Sequence, residues 1–176
     1  MRKLILTAFI LSAFGVVAHA QVTPVADVAV GYGFIEVPQG FTFMMHGGSA
    51  AVAFNVNNWL GIVGDFGAYH AHPGVSLTTE TYTFGPRFSY RAFDGFTPFA
   101  QVLLGGQHAS AVTTGFTNAS NAFAIGAGGG VDIGLGGSGR FAVRPQFEYF
   151  GFRANGNMTT TARLSIGFVF NIGRKQ

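Results

Sequence analysis

The sequence predicts an all-β fold, an eight-stranded antiparallel up-and-down transmembrane β-barrel. Three observations lead there. The chain is apolar and poorly charged: 48% of its residues are hydrophobic and 10% charged, where ordinary soluble domains carry about 25% charged residues. No run beyond the N-terminus can form a membrane helix, because glycine, asparagine or a charge interrupts every apolar stretch. Instead, segments of about ten residues alternate in polarity and are separated by turn signals. In hydrocarbon each backbone N–H and C=O must be paired within the protein, so only helices and closed barrels span a bilayer. Without a helix, the barrel remains.

The first twenty residues read as a secretory leader. Arg2 and Lys3 precede an apolar stretch, Leu4 to Val17, and Ala18-His19-Ala20 fits the small-x-small cleavage rule. The stretch is short for a spanning helix, which needs about 20 residues. Cleavage makes Gln21 the mature N-terminus and leaves one domain, residues 21–176. Without Arg2 and Lys3 there are eight Arg/Lys against seven Asp/Glu. The basicity therefore belongs mostly to the leader, and no basic patch argues for nucleic acid. There is no cysteine, so no disulfide staples the exported chain.

Eight segments follow. In Val25 to Ile35, Val28, Val30, Tyr32 and Phe34 oppose Ala29, Gly31 and Gly33. In Gly47 to Asn55, Ala50, Val52 and Phe54 oppose Ala51, Ala53 and Asn55, and Asn57-Asn58 marks a tight turn. In Trp59 to Tyr69, Leu60, Ile62 and Phe66 oppose Gly61, Asp65 and Gly67. Thr81 to Arg91 is the clearest, with Tyr82, Phe84, Phe88 and Tyr90 against Thr83, Gly85, Arg87, Ser89 and Arg91. Asp94-Gly95 marks the next turn. In Thr97 to His108, Ala100, Val102 and Leu104 oppose Gln101, and Leu103 breaks the pattern. Asn121 to Gly134 sets Phe123, Ile125, Val131 and Ile133 against Gly126, Gly128, Gly130 and Asp132. The glycine-rich turn Gly134 to Gly139 leads to Arg140 to Phe152, where Phe141, Val143, Phe147 and Tyr149 oppose Arg144, Gln146 and Glu148. Finally, Thr159 to Ile172 sets Leu164, Ile166, Phe168 and Phe170 against Arg163, Ser165, Gly167 and Asn171. Pro86 and Pro145 fall inside strands, where proline removes a ladder bond, so a bulge is expected at each.

The connections alternate. Asn57-Asn58, Ala92 to Phe96 and Gly134 to Gly139 are short; Glu36 to His46, His70 to Glu80, Ala109 to Ser120 and Arg153 to Met158 are mostly longer. Membrane barrels have short periplasmic turns and longer outer loops, which puts both termini on the periplasmic side. The large apolar residues fall on one face and the glycines and charges on the other. An eight-stranded barrel has an interior just wide enough for side chains. The apolar face must then look outward to lipid, with Trp59, Tyr32, Tyr82, Tyr90 and Tyr149 as interfacial girdles, and glycines 31, 61, 85, 126 and 128 making room inside for arginines. The inward set holds Asp27, Asp65, Asp132 and Glu148 with Arg87, Arg91, Arg144 and Arg163. Equal numbers favour a neutral bonded plug over a gated ion path lined by the same residues.

In this pattern the chain resembles the OmpA/OmpX-type eight-stranded outer-membrane barrels over essentially its whole mature length. The most specific part is Ser165-Ile166-Gly167-Phe168-Val169-Phe170-Asn171-Ile172. It is similar to their assembly signal, with Ser165, Gly167, Phe170 and Ile172 at its polar, glycine, aromatic and hydrophobic positions; Gly173 to Gln176 extend past the usual end. The resemblance implies a bacterial outer-membrane location, the lipid of that membrane as surroundings, and the barrel-assembly machinery and periplasmic chaperones as partners during biogenesis. It implies a monomer with a structural or surface role and no cofactor. The larger members continue into a peptidoglycan-binding domain; none is expected here, since the chain stops at Gln176.

Three further motifs bear on chemistry. His108-Ala109-Ser110 places a histidine and a serine on one strand face, outward by parity, and resembles the pair in PagL-type lipid A deacylases. No outward carboxylate lies nearby in sequence to orient the base. His70-Ala71-His72 with His46 is read as loop polarity, and no metal is expected. Gly126 to Gly130 lacks the Lys-Ser/Thr of a phosphate loop. The expected function is therefore non-enzymatic, with a narrow porin-like channel as the alternative and a lipid A-modifying enzyme behind it.

Overall fold

The computed structural model describes residues 23–39, 41–72, 76–113, 116–136, 139–154 and 156–173. The leader lies outside them. Eight strands follow in chain order: β1 (Ala26–Gln39), β2 (Phe41–Asn55), β3 (Leu60–Ala71), β4 (Ser76–Ser89), β5 (Phe96–Thr113), β6 (Phe116–Leu135), β7 (Phe141–Ala154) and β8 (Asn157–Ile172). Each pairs antiparallel with the next, and β8 closes on β1 through Ala26↔Ile172 to Ile35↔Arg163. Closure leaves no free sheet edge along the shared height of the strands.

The register sets the tilt. Stepping across the paired residues from Phe170 through Val28, Val52, Gly64, Phe84, Leu104, Ile125 and Gly151 returns to β8 at Thr160, ten residues from the start. With a rise of about 3.3 Å per residue and strands about 4.8 Å apart, that stagger tilts the strands by about 40°. The two ends of the described chain, Thr23 and Gly173, and the β2–β3, β4–β5 and β6–β7 turns lie at one end, the terminal end. Turn chemistry is explicit there: Asn57 Oδ1 accepts from the backbone N–H of Trp59 (3.0 Å) and Leu60 (2.7 Å), an Asx turn. Gly95 has φ 72° after Asp94, a conformation that suits glycine.

The wall is turned inside out relative to a soluble barrel. Phe54, Ile62, Phe84, Phe147, Leu164 and Ile166 are each more than half exposed, part of a continuous apolar belt far larger than the patches of soluble monomers. Phe141 and Tyr149, both outward on β7 and eight residues apart, are separated by about 20 Å along the axis at this rise and tilt, near the ~25 Å of a membrane band. Trp59, Tyr90, Phe93 and Phe96 cluster at the terminal end, Trp59 stacking on Phe88 at 6.0 Å. Tyr82 and Tyr149 lie towards the far end.

Several expectations are corrected. The stretches taken as longer loops are mostly strand. β1 and β2 are separated by residue 40 alone, and β5 and β6 run to Thr113 and from Phe116. β-Branched and aromatic residues in these stretches, among them Val37, Phe43, Val112, Thr113 and Phe116, favour strand over loop. Neither strand proline makes a bulge. At Gly85-Pro86 the β4–β5 pairing lapses and resumes at Arg87↔Gln101 in unchanged register, and at Pro145 the β6–β7 pairing resumes at Ile133↔Val143 likewise. Proline loses one donor on one side only; its other neighbour stays paired, as Ile62↔Pro86 and Pro145↔Ile166 show. The large apolar residues are not all outward. Leu103, Val63, Phe99, Phe150, Phe152 and Tyr69 are buried inside, so Leu103 continues the alternation of β5. The inward glycines do not make room for arginines either. A Cβ at Gly31 or Gly85 would collide with the backbone of a neighbouring strand, at Gly126 with the ring of Phe150, at Gly61 it would press on Asn55, and at Gly128 on β7 at Phe147 and Glu148. Tight strand approach and one aromatic ring explain them.

Candidate functional site

The charged side chains of the interior form two bonded layers. In the layer nearer the termini, Asp27 Oδ1 on β1 accepts from Arg87 Nη1 at 3.1 Å and Arg144 Nη2 at 2.9 Å. Arg144 also grips Asp132, its Nη2 donating to Oδ2 at 2.8 Å. Both guanidiniums also approach the ring of Phe99, Arg87 Cζ at 4.6 Å and Arg144 Cζ at 4.9 Å from its centroid. The electron-rich ring partly offsets the proximity of two like charges.

The second layer centres on Arg163. Its Nη1 donates to Asp65 Oδ1 at 2.7 Å and to the Tyr69 hydroxyl at 3.2 Å, and its guanidinium pairs with Glu148. Its Cζ stands 5.0 Å over the ring of Phe150. Gln101 joins the layers. Its Oε1 accepts from Arg87 Nε at 2.9 Å and its Nε2 donates to Glu148 Oε1 at 2.7 Å. A single bonded chain thus crosses the lumen through β1, β3, β4, β5, β6, β7 and β8. Arg87, Arg144 and Arg163 side chains are at most 3% exposed.

Seven of the eight charges read from parity meet here. Arg91 does not join them. It lies beyond the end of β4 and donates to Asn58 O (2.6 Å) and Asn55 Oδ1 (2.9 Å), holding the β2–β3 turn. Sequence reading missed the neutral members, Gln101, Phe99, Tyr69 and Phe150. Their parity was legible; which layer each would meet depends on the ten-residue stagger. The C-terminal residues Ser165 and Gly167 turn inward and Phe170 and Ile172 outward, on the strand that closes the barrel against β1.

Above the Arg163 layer the interior changes character. Phe150 and Phe152 stack at 5.8 Å. They face a second apolar cluster of Ile35, Met45, Tyr69 and Ala71 with Leu77. Beyond them a cavity of about 430 Å³ opens at the far end.

The remaining candidates sit at the far end of the wall. The register puts Glu80 directly opposite His108 and Thr78 opposite Ser110. The carboxylate invisible to local reading therefore comes from β4. His108 Nδ1 is nevertheless engaged by Asn121 Oδ1 at 2.8 Å rather than by Ser110 or Glu80. His70 and His72 meet at 2.6 Å between their Nε2 atoms, while His46, the cross-strand partner of His70, bonds the Tyr32 hydroxyl at 2.6 Å. Among the described residues no group of three or more His, Cys, Asp or Glu side chains is placed to hold a metal ion.

No protein-family model and no curated protein matches the sequence. Solved structures do resemble the fold. Neisserial surface protein A (NspA) superposes with a TM-score of 0.72 at 12% identity, over 84% of this chain and 97% of that one. Ail, the attachment invasion locus protein of Yersinia pestis, gives 0.59 at 16% identity, over 84% and 99%. The N-terminal β-barrel domain of Pseudomonas aeruginosa OprF gives 0.59 at 14% identity, over 85% and 100%. The fold is that of the small eight-stranded outer-membrane β-barrels.

Proposed function

We propose that this chain is an integral protein of the bacterial outer membrane, non-enzymatic and monomeric, with a structural or surface-exposed role and a lumen closed to ions by its charge network. Its termini face the periplasm, and its far-end hairpins face outward. Its lasting partner is the membrane lipid around the apolar belt. The assembly machinery and periplasmic chaperones attend it during biogenesis, the former reading β8. The single observation that carries the reading is the bonded chain from Asp132 through Arg144, Asp27, Arg87, Gln101, Glu148 and Arg163 to Asp65. It fills a lumen that eight strands leave only side-chain wide. The alternative, a narrow porin, needs those same charges hydrated and mobile. Planar-bilayer recording separates the two. The purified protein is expected to give no discrete, voltage-stable conductance. A reproducible conductance that vanishes in Arg87→Ala would overturn the plug.

A further inference from the structure

The geometry points to the far-end cavity as a binding cup for small, uncharged molecules that combine an apolar ring with hydroxyl groups. Every carboxylate and guanidinium that faces inward among the described residues lies below the Phe150–Phe152 stack or at the terminal end. The charged residues at the far end, Glu36, Glu80 and Arg153, are exposed and point outward by strand parity. From Ala109 to Val131 the sequence contains no Asp, Glu, Lys or Arg at all, and none occurs from Ala154 to Ala162. A charged solute entering the cup would give up hydration without a counter-charge, which is costly.

The lining then selects what remains. Ile35, Met45 and Phe152 supply an apolar floor, while Thr79, Gln107 and Asn157 supply neutral donors and acceptors around it. An apolar pocket with a few polar groups is the usual form of a small-molecule site. The 430 Å³ volume is that of on the order of ten water molecules, enough for one ring system and a sugar-sized polar part. The Arg163 layer closes the cup from beneath, so a solute binds and leaves by the same mouth. This inference goes beyond the structural role proposed above and shares with it only the closed floor at Arg163.

The test uses the full mature chain in lipid nanodiscs with methyl labels on methionine and threonine. Phenyl β-glucoside is titrated as the neutral probe and phenyl phosphate as its charged counterpart. Saturable shifts at Met45, Thr79 and Thr161, with phenyl phosphate at least tenfold weaker, are expected. Ala109→Phe, which fills the cup from β5, is expected to weaken phenyl glucoside binding at least tenfold while keeping the heat-modifiable gel shift of a folded barrel. If that variant does not fold, Ala111→Phe nearer the mouth takes its place. The proposal fails if the shifts do not saturate, if both probes bind alike, or if the folded filled variant binds as the parent does.

Discussion

Removing Arg163 is the sharpest perturbation of the interior. Its side chain is 1% exposed and serves two carboxylates that are themselves shut off from solvent, Asp65 at 4% and Glu148 at 1%. Arg163→Met fills similar volume but leaves both acids without their cation. Breaking a buried ion pair from one side costs about 3–5 kcal/mol, and the contact with Phe150 is lost as well. At a urea dependence of about 2 kcal/mol per molar, the unfolding midpoint falls by roughly 1.5–2.5 M. The double variant Arg163→Met/Glu148→Gln removes one of the orphaned charges, and the amide carbonyl it introduces can still accept from Gln101. It is expected to recover about 1–3 kcal/mol, the coupling typical of residues in one network. Urea titration in detergent or liposomes checks this, followed by fluorescence of Trp59, the sole tryptophan, and by gel mobility without boiling. A single variant within about 0.3 M of the parent midpoint, or a double variant no more stable than Arg163→Met, would refute the view that the layer is a coupled unit.

Two further predictions concern the wall. Gly85→Ala places a methyl against the Val102 carbonyl across the lapse beside Pro86, whereas Gly64→Ala, on the outward face, meets nothing within 4 Å. The first is expected to cost about 2–3 kcal/mol and the second less than about 0.5 kcal/mol, measured by the same titration; equal effects would contradict the close approach of β4 and β5. Phe147→Arg, at a position 54% exposed in the middle of β7, is expected to cost about 2–4 kcal/mol in lipid, and a neutral result would mean that this face does not meet hydrocarbon.

Strand count, antiparallel wall, outward belt and the inward set of charges were all legible in the residues. All of these follow from a period of two, which is local: each side chain's face is set by its neighbours along the strand. The sequence also identified the turns at Asn57-Asn58 and Asp94-Gly95, where residue type and backbone conformation are tied. Which residues meet across the barrel is fixed only when the barrel closes. The ten-residue stagger brings Asp27 to Arg144 from 117 positions away, sets Glu80 opposite His108, and sends Arg91 to the β2–β3 turn although its parity matches that of Arg87. The same stagger collects the inward aromatics Phe150 and Phe152 beneath an uncharged mouth, so the charged layers and the far-end cavity occupy different heights of one lumen. Pairing register is a property of eight strands closing together, and no single segment carries it.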